Sequence, residues 1–221
     1  MESLDHDAIR EFYDRVYYGD HPGQGNVPGH LRRLASLFQP WSEKRILDVA
    51  CGTGLWLRAT AALGAVPSGV DISNIALDMC RNALPHAQLH CGPAEKLPFP
   101  DGQFDFVSCL GALEHFLDPI SALREMVRVA KRNAQFLLLV PNADFPPLRL
   151  GLYGGTDQSS VREELRSLEC WRELFESAGL TIVKRWRDLN VLSISWITRG
   201  PWYFWPLSWQ YQVYYHCSLK K

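Results

Sequence analysis

The chemically informative part of the sequence is a pair of carboxylates around a turn of small residues. Asp48 sits near the end of the run Ile46-Leu47-Asp48-Val49, which is followed by Ala50-Cys51-Gly52-Thr53-Gly54; Asp71 closes a second run, Gly69-Val70-Asp71. Glycines at alternate positions let the backbone approach a ligand with no Cβ in the way, and a turn that opens a helix points N–H groups outward. A carboxylate at Asp71 can accept from both hydroxyls of a ribose. Asp48 beside the turn would repel a phosphate, and the run from Ala50 to Leu55 lacks the glycine spacing of G-x-G-x-x-G, so it departs from the dinucleotide fingerprint. A cofactor that carries a positive group suits Asp48 better.

Placing these residues together requires strands that end on one level. Apolar runs at 45–50, 66–71, 87–91, 104–110 and 136–140 alternate with helical patterns at 54–63, 73–84 and from Pro119 onward. The run from Phe136 to Val140 does not alternate, as expected for a strand buried on both faces. Helices are predicted over 5–18 and 28–38. Beyond the fifth strand the pattern predicts a loop over 141–158, a helix over 161–178 with a Ser160/Glu163 capping box, and strands at 180–187 and 211–218. The fold class is therefore α/β: a doubly wound, mostly parallel seven-stranded sheet, Rossmann-like, with N-terminal helices and an aromatic insertion before the last strand. One domain is expected over 1–221, comprising a helical cap (1–43), a cofactor-binding half (44–140) and a substrate-side half (141–221). In such sheets ligands lie beyond the carboxyl ends of the strands, so the loops after strands one, two, four and five should hold the site.

Composition narrows the function classes. The chain has 221 residues, 47% hydrophobic and 21% charged, with a net charge of −1. No basic excess suggests a nucleic-acid surface, and Lys and Arg occur in no run longer than a pair. No stretch reaches the roughly 18 uncharged apolar residues of a membrane span, and no signal peptide is evident. The six cysteines form no C-x-x-C pair, which fits reduced thiols in a cytoplasmic protein better than a disulfide framework or a zinc site.

Four motifs in register carry a family resemblance: Ile46–Gly54, Gly69–Ser73, Ala94–Phe99 with Phe104-Asp105, and Leu113–Phe116. Over about 45–140 the chain resembles the class I S-adenosylmethionine-dependent methyltransferases, within them the small-molecule branch that includes the ubiquinone and menaquinone methyltransferases. The resemblance implies S-adenosylmethionine as cofactor and S-adenosylhomocysteine as its product. It places the backbone at Ala50, Cys51, Gly52 and Gly54 against the methionine part, with Asp48 serving the ammonium. It puts Asp71 on the ribose diol, Ile72 on the adenine, Ala94 N–H on an adenine nitrogen with Glu95 nearby, and Leu110 beneath the sulfonium. Two departures stand out: alanine at position 50, where the family often has glycine, and Pro93 where it often has an aspartate for the adenine amino group.

Methyl transfer to oxygen needs a base when the nucleophile arrives protonated, and His115, just past strand four, is the candidate. The alternative role for His115 is to orient its loop, paired with Glu114. Some quinone-pathway relatives hold a metal through carboxylates ahead of the Glu-His pair; Gly111, Ala112 and Leu113 stand there instead, so no metal is expected. Tyr18, Asn142 and Tyr153 are expected on the substrate side. The aromatic stretch 190–208 reads as a wall for an apolar small-molecule acceptor, as a peripheral membrane or protein contact, or as packing. Rival functions are an NAD-dependent oxidoreductase of similar topology and a non-catalytic protein that binds a cofactor or partner. The oligomeric state and the acceptor are not written in these motifs.

Overall fold

The structure is a computed structural model that describes residues 5–19, 25–152, 163–188 and 206–220. Seven strands form one sheet: β1 (Arg45–Val49), β2 (Val66–Asp71), β3 (Gln88–Cys91), β4 (Phe104–Leu110), β5 (Ala130–Pro141), β6 (Leu180–Arg187) and β7 (Gln212–Leu219). Their order is β3-β2-β1-β4-β5-β7-β6. The pairs from β3 to β5 are parallel, while β7 runs antiparallel to both β5 and β6. The expected doubly wound, mostly parallel sheet is thus present. The order reverses beside β1, so the carboxyl ends of β1 and β4 face a crevice.

Side-chain alternation divides the core into two layers. Phe136, Leu138 and Val140 of β5 pack in the layer beneath α5 (Pro119–Val129) and α6 (Leu168–Ser177). Leu137 and Leu139 point the other way, into the layer under α2 (Gly29–Ser36), α3 (Leu55–Ala61) and α4 (Asn74–Ala83). A strand covered by helices on both faces has no polar side, which is why the sequence of β5 shows no alternation. Residues 130–135 extend that strand beyond the expected 136–140, with a register shift opposite Phe104–Phe106.

Two helix boundaries differ from expectation. The N-terminal helix is α1 (His6–Phe12), capped by Asp5, followed by one π-helical turn over Tyr13–Tyr17 in which Tyr18 N–H donates to Tyr13 O at 2.8 Å. Tyr13, Tyr17 and Tyr18 at this turn line the cavity described below. The helix predicted over 161–178 begins only at Leu168, because Ser167 Oγ accepts from Cys170 N–H and caps it. Ahead of it the backbone is bonded elsewhere: Glu164 N–H donates to Glu114 O, and Arg166 O accepts from Ala143 N–H. Ser160, Tyr153 and most of the aromatic stretch 190–208 lie outside the described residues. Among the described residues no helix is long and apolar enough to cross a membrane.

Candidate active site

The turn after β1 is built from three alternate residues in the left-handed region: Ala50 at φ 58°, Gly52 at 52° and Gly54 at 80°. Hydrogen bonds pin it to β2. Cys51 N–H donates to Val70 O at 3.0 Å, and Gly52 N–H donates to Asp71 Oδ2 at 2.7 Å. Asp71 Oδ1 accepts from Ser73 N–H at 2.9 Å. Alanine at position 50 keeps the left-handed conformation that glycine adopts freely, at a cost of about 1–2 kcal/mol.

Both carboxylates are buried, and burial dominates their chemistry. It pushes Asp71 up to about 6 against the opposing N–H bonds of Ser73, Gly52 and Ile72. It pushes Asp48 well above the usual carboxylate range, opposed by the hydroxyl of Ser108, which donates to Asp48 Oδ1 at 2.6 Å. Ser108 has no role in a reading of the sequence beyond being a polar residue in an apolar strand. Only the register, with Asp48 opposite Ser108, reveals the pair.

These groups open on a cavity of about 420 Å³. Of the expected cofactor residues, Asp48, Ala50, Cys51, Gly52, Asp71, Ile72, Ala94, Glu95 and Leu110 line it, and so does His115. Gly54 does not. A Cβ there would stand 2.4 Å from Cys80 Sγ, so this glycine serves the close packing of α3 on α4. Pro93 lines the wall beside Ala94. Glu95 is shared between two elements: Oε2 lies 3.3 Å from His6 Nε2, and Oε1 accepts from Asp118 N–H at 3.2 Å. The N-terminal helix is tied down over this end. Arg10 Nε donates to Ile72 O at 3.2 Å, and Asp14 Oδ1 accepts from Ser73 Oγ at 2.5 Å.

Three substrate-side expectations fare differently. Tyr18 lines the cavity, but above the glycine turn, where a Cβ on Gly52 would lie 2.8 Å from its Oη. Asn142 does not line it. It is fully buried, and its Nδ2 donates to Ser208 O at 2.8 Å and Gln210 O at 3.2 Å, while Oδ1 accepts from Asp144 N–H. That side chain latches the end of β5 to the segment before β7. Tyr153 lies outside the described residues.

At the other end, Leu113–His115 form a short 3-10 turn. His115 is 5% exposed, with Nε2 at 3.9 Å from Glu114 Oε1. Glu114 is deeper still: burial pushes it up to about 8, and Oε2 has no hydrogen-bond partner among the described residues. Leu139, Tyr214 and Asp188, at the cofactor-side ends of β5, β7 and β6, complete the wall beyond Leu110. None of the three could be picked from sequence: Leu139 and Asp188 lie at carboxyl ends of parallel strands, as the fold rule names, but Tyr214 arrives from the amino end of the antiparallel β7. The cavity thus offers carboxylates to a ligand, and no Lys or Arg among the described residues lines it. Such a site fits a ligand with a positive group and a diol, and would repel a pyrophosphate. Among the described residues no cluster of His, Cys, Asp and Glu is arranged to hold a metal.

Comparison with known proteins agrees with this geometry. A family model described as a methyltransferase domain matches residues 47–138. The uncharacterized methyltransferase YcgJ of Bacillus subtilis is 31% identical over 170 residues, spanning 72% of this chain and 66% of its own length. A ubiquinone biosynthesis O-methyltransferase of Thiobacillus denitrificans is 34% identical over 168 residues, spanning 66% of this chain and 72% of the relative. The crystal structure of magnesium protoporphyrin IX methyltransferase from Synechocystis with bound S-adenosylhomocysteine superimposes with a TM-score of 0.68 at 15% identity. That match covers 98% of this chain and all of the other, and it speaks to the fold.

Proposed function

The chain belongs to the class I S-adenosylmethionine-dependent methyltransferases, and on that premise we propose that it transfers a methyl group to an oxygen of a small-molecule acceptor in the cytoplasm. The observation that carries this reading is the pairing of buried Asp48 and Asp71 about the left-handed turn, in a cavity that His115 also lines.

The bound cofactor supplies a sulfonium methyl that is open to in-line displacement. In our reading Asp48 faces the methionine ammonium, whose charge offsets the cost of burying that carboxylate. Asp71, already accepting from Gly52 and Ser73 N–H, takes the ribose diol on its remaining lone pairs. The backbone of Ala50, Cys51 and Gly52 lies along the methionine part. Ile72, Ala94 and Glu95 surround the adenine, and Leu110 lies near the sulfonium. Holding the acceptor in line contributes up to about 7–11 kcal/mol in favourable cases. His115 accepts the acceptor's hydroxyl proton, an assistance on the order of 10²–10⁴-fold.

Isothermal titration with S-adenosylhomocysteine and with NAD separates this reading from the oxidoreductase alternative. Saturable binding of S-adenosylhomocysteine with no heat from NAD is expected. Binding of NAD in its place would overturn the assignment. The carboxylates at 48 and 71 support the expected outcome, since a pyrophosphate would meet them with no Lys or Arg among the described residues lining the site to offset the repulsion.

A further inference from the structure

Two thiols meet behind the glycine turn. Cys51 belongs to the turn and lines the cavity. Cys80 belongs to α4, is fully buried and does not line it. The Cys80 sulfur stands so close to the turn that a Cβ on Gly54 would lie 2.4 Å from it. The Cys51 sulfur lies 3.7 Å from Gly52 O and fills the space over β2, where a Cβ on Gly69 would lie 2.6 Å from it. There the two side chains hydrogen-bond to each other. The cofactor reading above uses only the backbone of Cys51, so neither sulfur has a role in it.

The contact changes the chemistry of both thiols. The S–H of Cys51 holds Cys80 below the usual thiol range against the effect of burial, with Arg81 and Arg58 adding to the shift, while Cys51 is held well above it. The pair therefore gives up a first proton more readily than an isolated buried thiol, and the second is shared between the sulfurs. A disulfide needs its sulfurs about 2.05 Å apart, closer than any thiol–thiol hydrogen bond, so its formation pulls the turn and α4 together. The turn has little freedom to follow. Cys51 N–H is held by Val70 O at 3.0 Å, and Ala50 and Gly52 flank it in the left-handed region.

We propose that Cys51 and Cys80 form an oxidation site, converted by hydrogen peroxide to a disulfide that distorts the cofactor cradle, and that bound cofactor protects the pair. The link to the cofactor rests on the methyltransferase reading; the reactivity of the dithiol does not. In the first step the Cys51 proton passes along the hydrogen bond to the Cys80 thiolate, and the Cys51 sulfur attacks one oxygen of the peroxide. The S–O bond forms, the O–O bond breaks and hydroxide leaves. In the second step the Cys80 sulfur attacks the Cys51 sulfur. The S–S bond forms, the S–O bond breaks, and the leaving hydroxide takes the Cys80 proton and departs as water. Two electrons pass from the sulfurs to the peroxide, and a small thiol reverses the change by exchange.

The test treats the full chain with hydrogen peroxide, with and without saturating S-adenosylhomocysteine, and digests it unreduced with trypsin, which cuts at Arg58 between the two cysteines. In the ligand-free chain the Cys51 peptide should be joined to the Cys80 peptide, with loss of two hydrogen atoms in place of a gain of oxygen. The exposed Cys91 and Cys170 are read from their own peptides. By isothermal titration the joined chain should bind S-adenosylhomocysteine at least about tenfold more weakly, and dithiothreitol should restore the affinity of the untreated chain. Saturation with S-adenosylhomocysteine beforehand should slow the joining severalfold. Cys80→Ala, altered outside the cavity lining, should bind S-adenosylhomocysteine as the parent does and give no joined peptide. Failure of the reduced chain to bind S-adenosylhomocysteine would sink the cofactor reading and the protection with it, while the digest still reports on the thiol pair. Oxidation of other thiols without joining of Cys51 to Cys80, a joined chain that binds at the parent affinity, or joining at the same rate with the cofactor product bound would each overturn the proposal.

Discussion

Acidification should weaken cofactor binding in a way that Asp71 determines. Its carboxyl is pushed up to about 6 by burial, so the ligand-free chain takes up a proton there within an accessible range. Two of the acceptor sites on this group are already used by Gly52 and Ser73 N–H, and a protonated acid has less capacity to accept from a ribose diol as well. At about pH 7 roughly nine-tenths of Asp71 is ionised; at about pH 5 roughly one-tenth is, so affinity for S-adenosylhomocysteine should fall about tenfold over that interval. Asp48 is shifted in the same direction by burial, so its protonation can only steepen the loss. Isothermal titration at several pH values measures the slope, and repeating it in buffers of different ionisation enthalpy counts the protons released on binding. Asp71→Asn should bind more weakly near neutrality and lose that share of the pH dependence. A flat affinity from about pH 7.5 to about pH 5, or a variant with the full slope of the parent, would refute the reasoning. The same shift has a second consequence. The folded chain holds this proton more tightly than the unfolded one, so the contribution of Asp71 to stability is present at low pH. That contribution, on the order of 3 kcal/mol, is lost as pH rises from about 4 through about 6. Bound cofactor should offset the loss, so the stabilisation by S-adenosylhomocysteine in thermal melts should grow with pH over that window.

Other perturbations test the site piece by piece. Ala50→Gly should stabilise the chain by roughly 0.5–1 kcal/mol, because relief of the left-handed alanine exceeds the added entropy of the unfolded state; a raised melting temperature checks it. Gly54→Ala should cost about 2 kcal/mol or more in urea melts, from a φ of 80° and a Cβ placed 2.4 Å from Cys80 Sγ, and Cys80→Ala in the same chain should recover the steric share. Asn142→Ala should lower stability by about 1–3 kcal/mol through the carbonyls of Ser208 and Gln210 left without its amide, while S-adenosylhomocysteine affinity, read by titration, stays at the parent value. His115→Gln should reduce turnover of a hydroxyl acceptor by about 10²-fold or more with cofactor affinity retained; a retained kcat would assign His115 to loop orientation beside Glu114.

What the sequence alone determined is local and strand-bound. Asp48 and Asp71 are legible because a polar residue that ends an apolar run, followed by small residues, marks a strand end, and strand ends in an alternating α/β chain share one level. The alternation of strands and helices, and the apolar run at 136–140, determined the sheet for the same reason. Tertiary structure decided what depends on which segments meet. Ser108 bonds Asp48 only because β1 and β4 pair in that register. The helix predicted from residue 161 starts at Leu168 because Glu164 N–H and Arg166 O are bonded to Glu114 and Ala143, which no capping pattern foretells. Asn142, read as a substrate contact, became a latch once the segment before β7 supplied carbonyls within its reach. Asp188 entered the cavity because β6 and β7 continue the sheet past β5, placing a residue distant in sequence at the same carboxyl-end crevice. Chain patterns report the burial of a residue's own faces; the partner across a strand or a loop is settled only when non-local packing brings the two together.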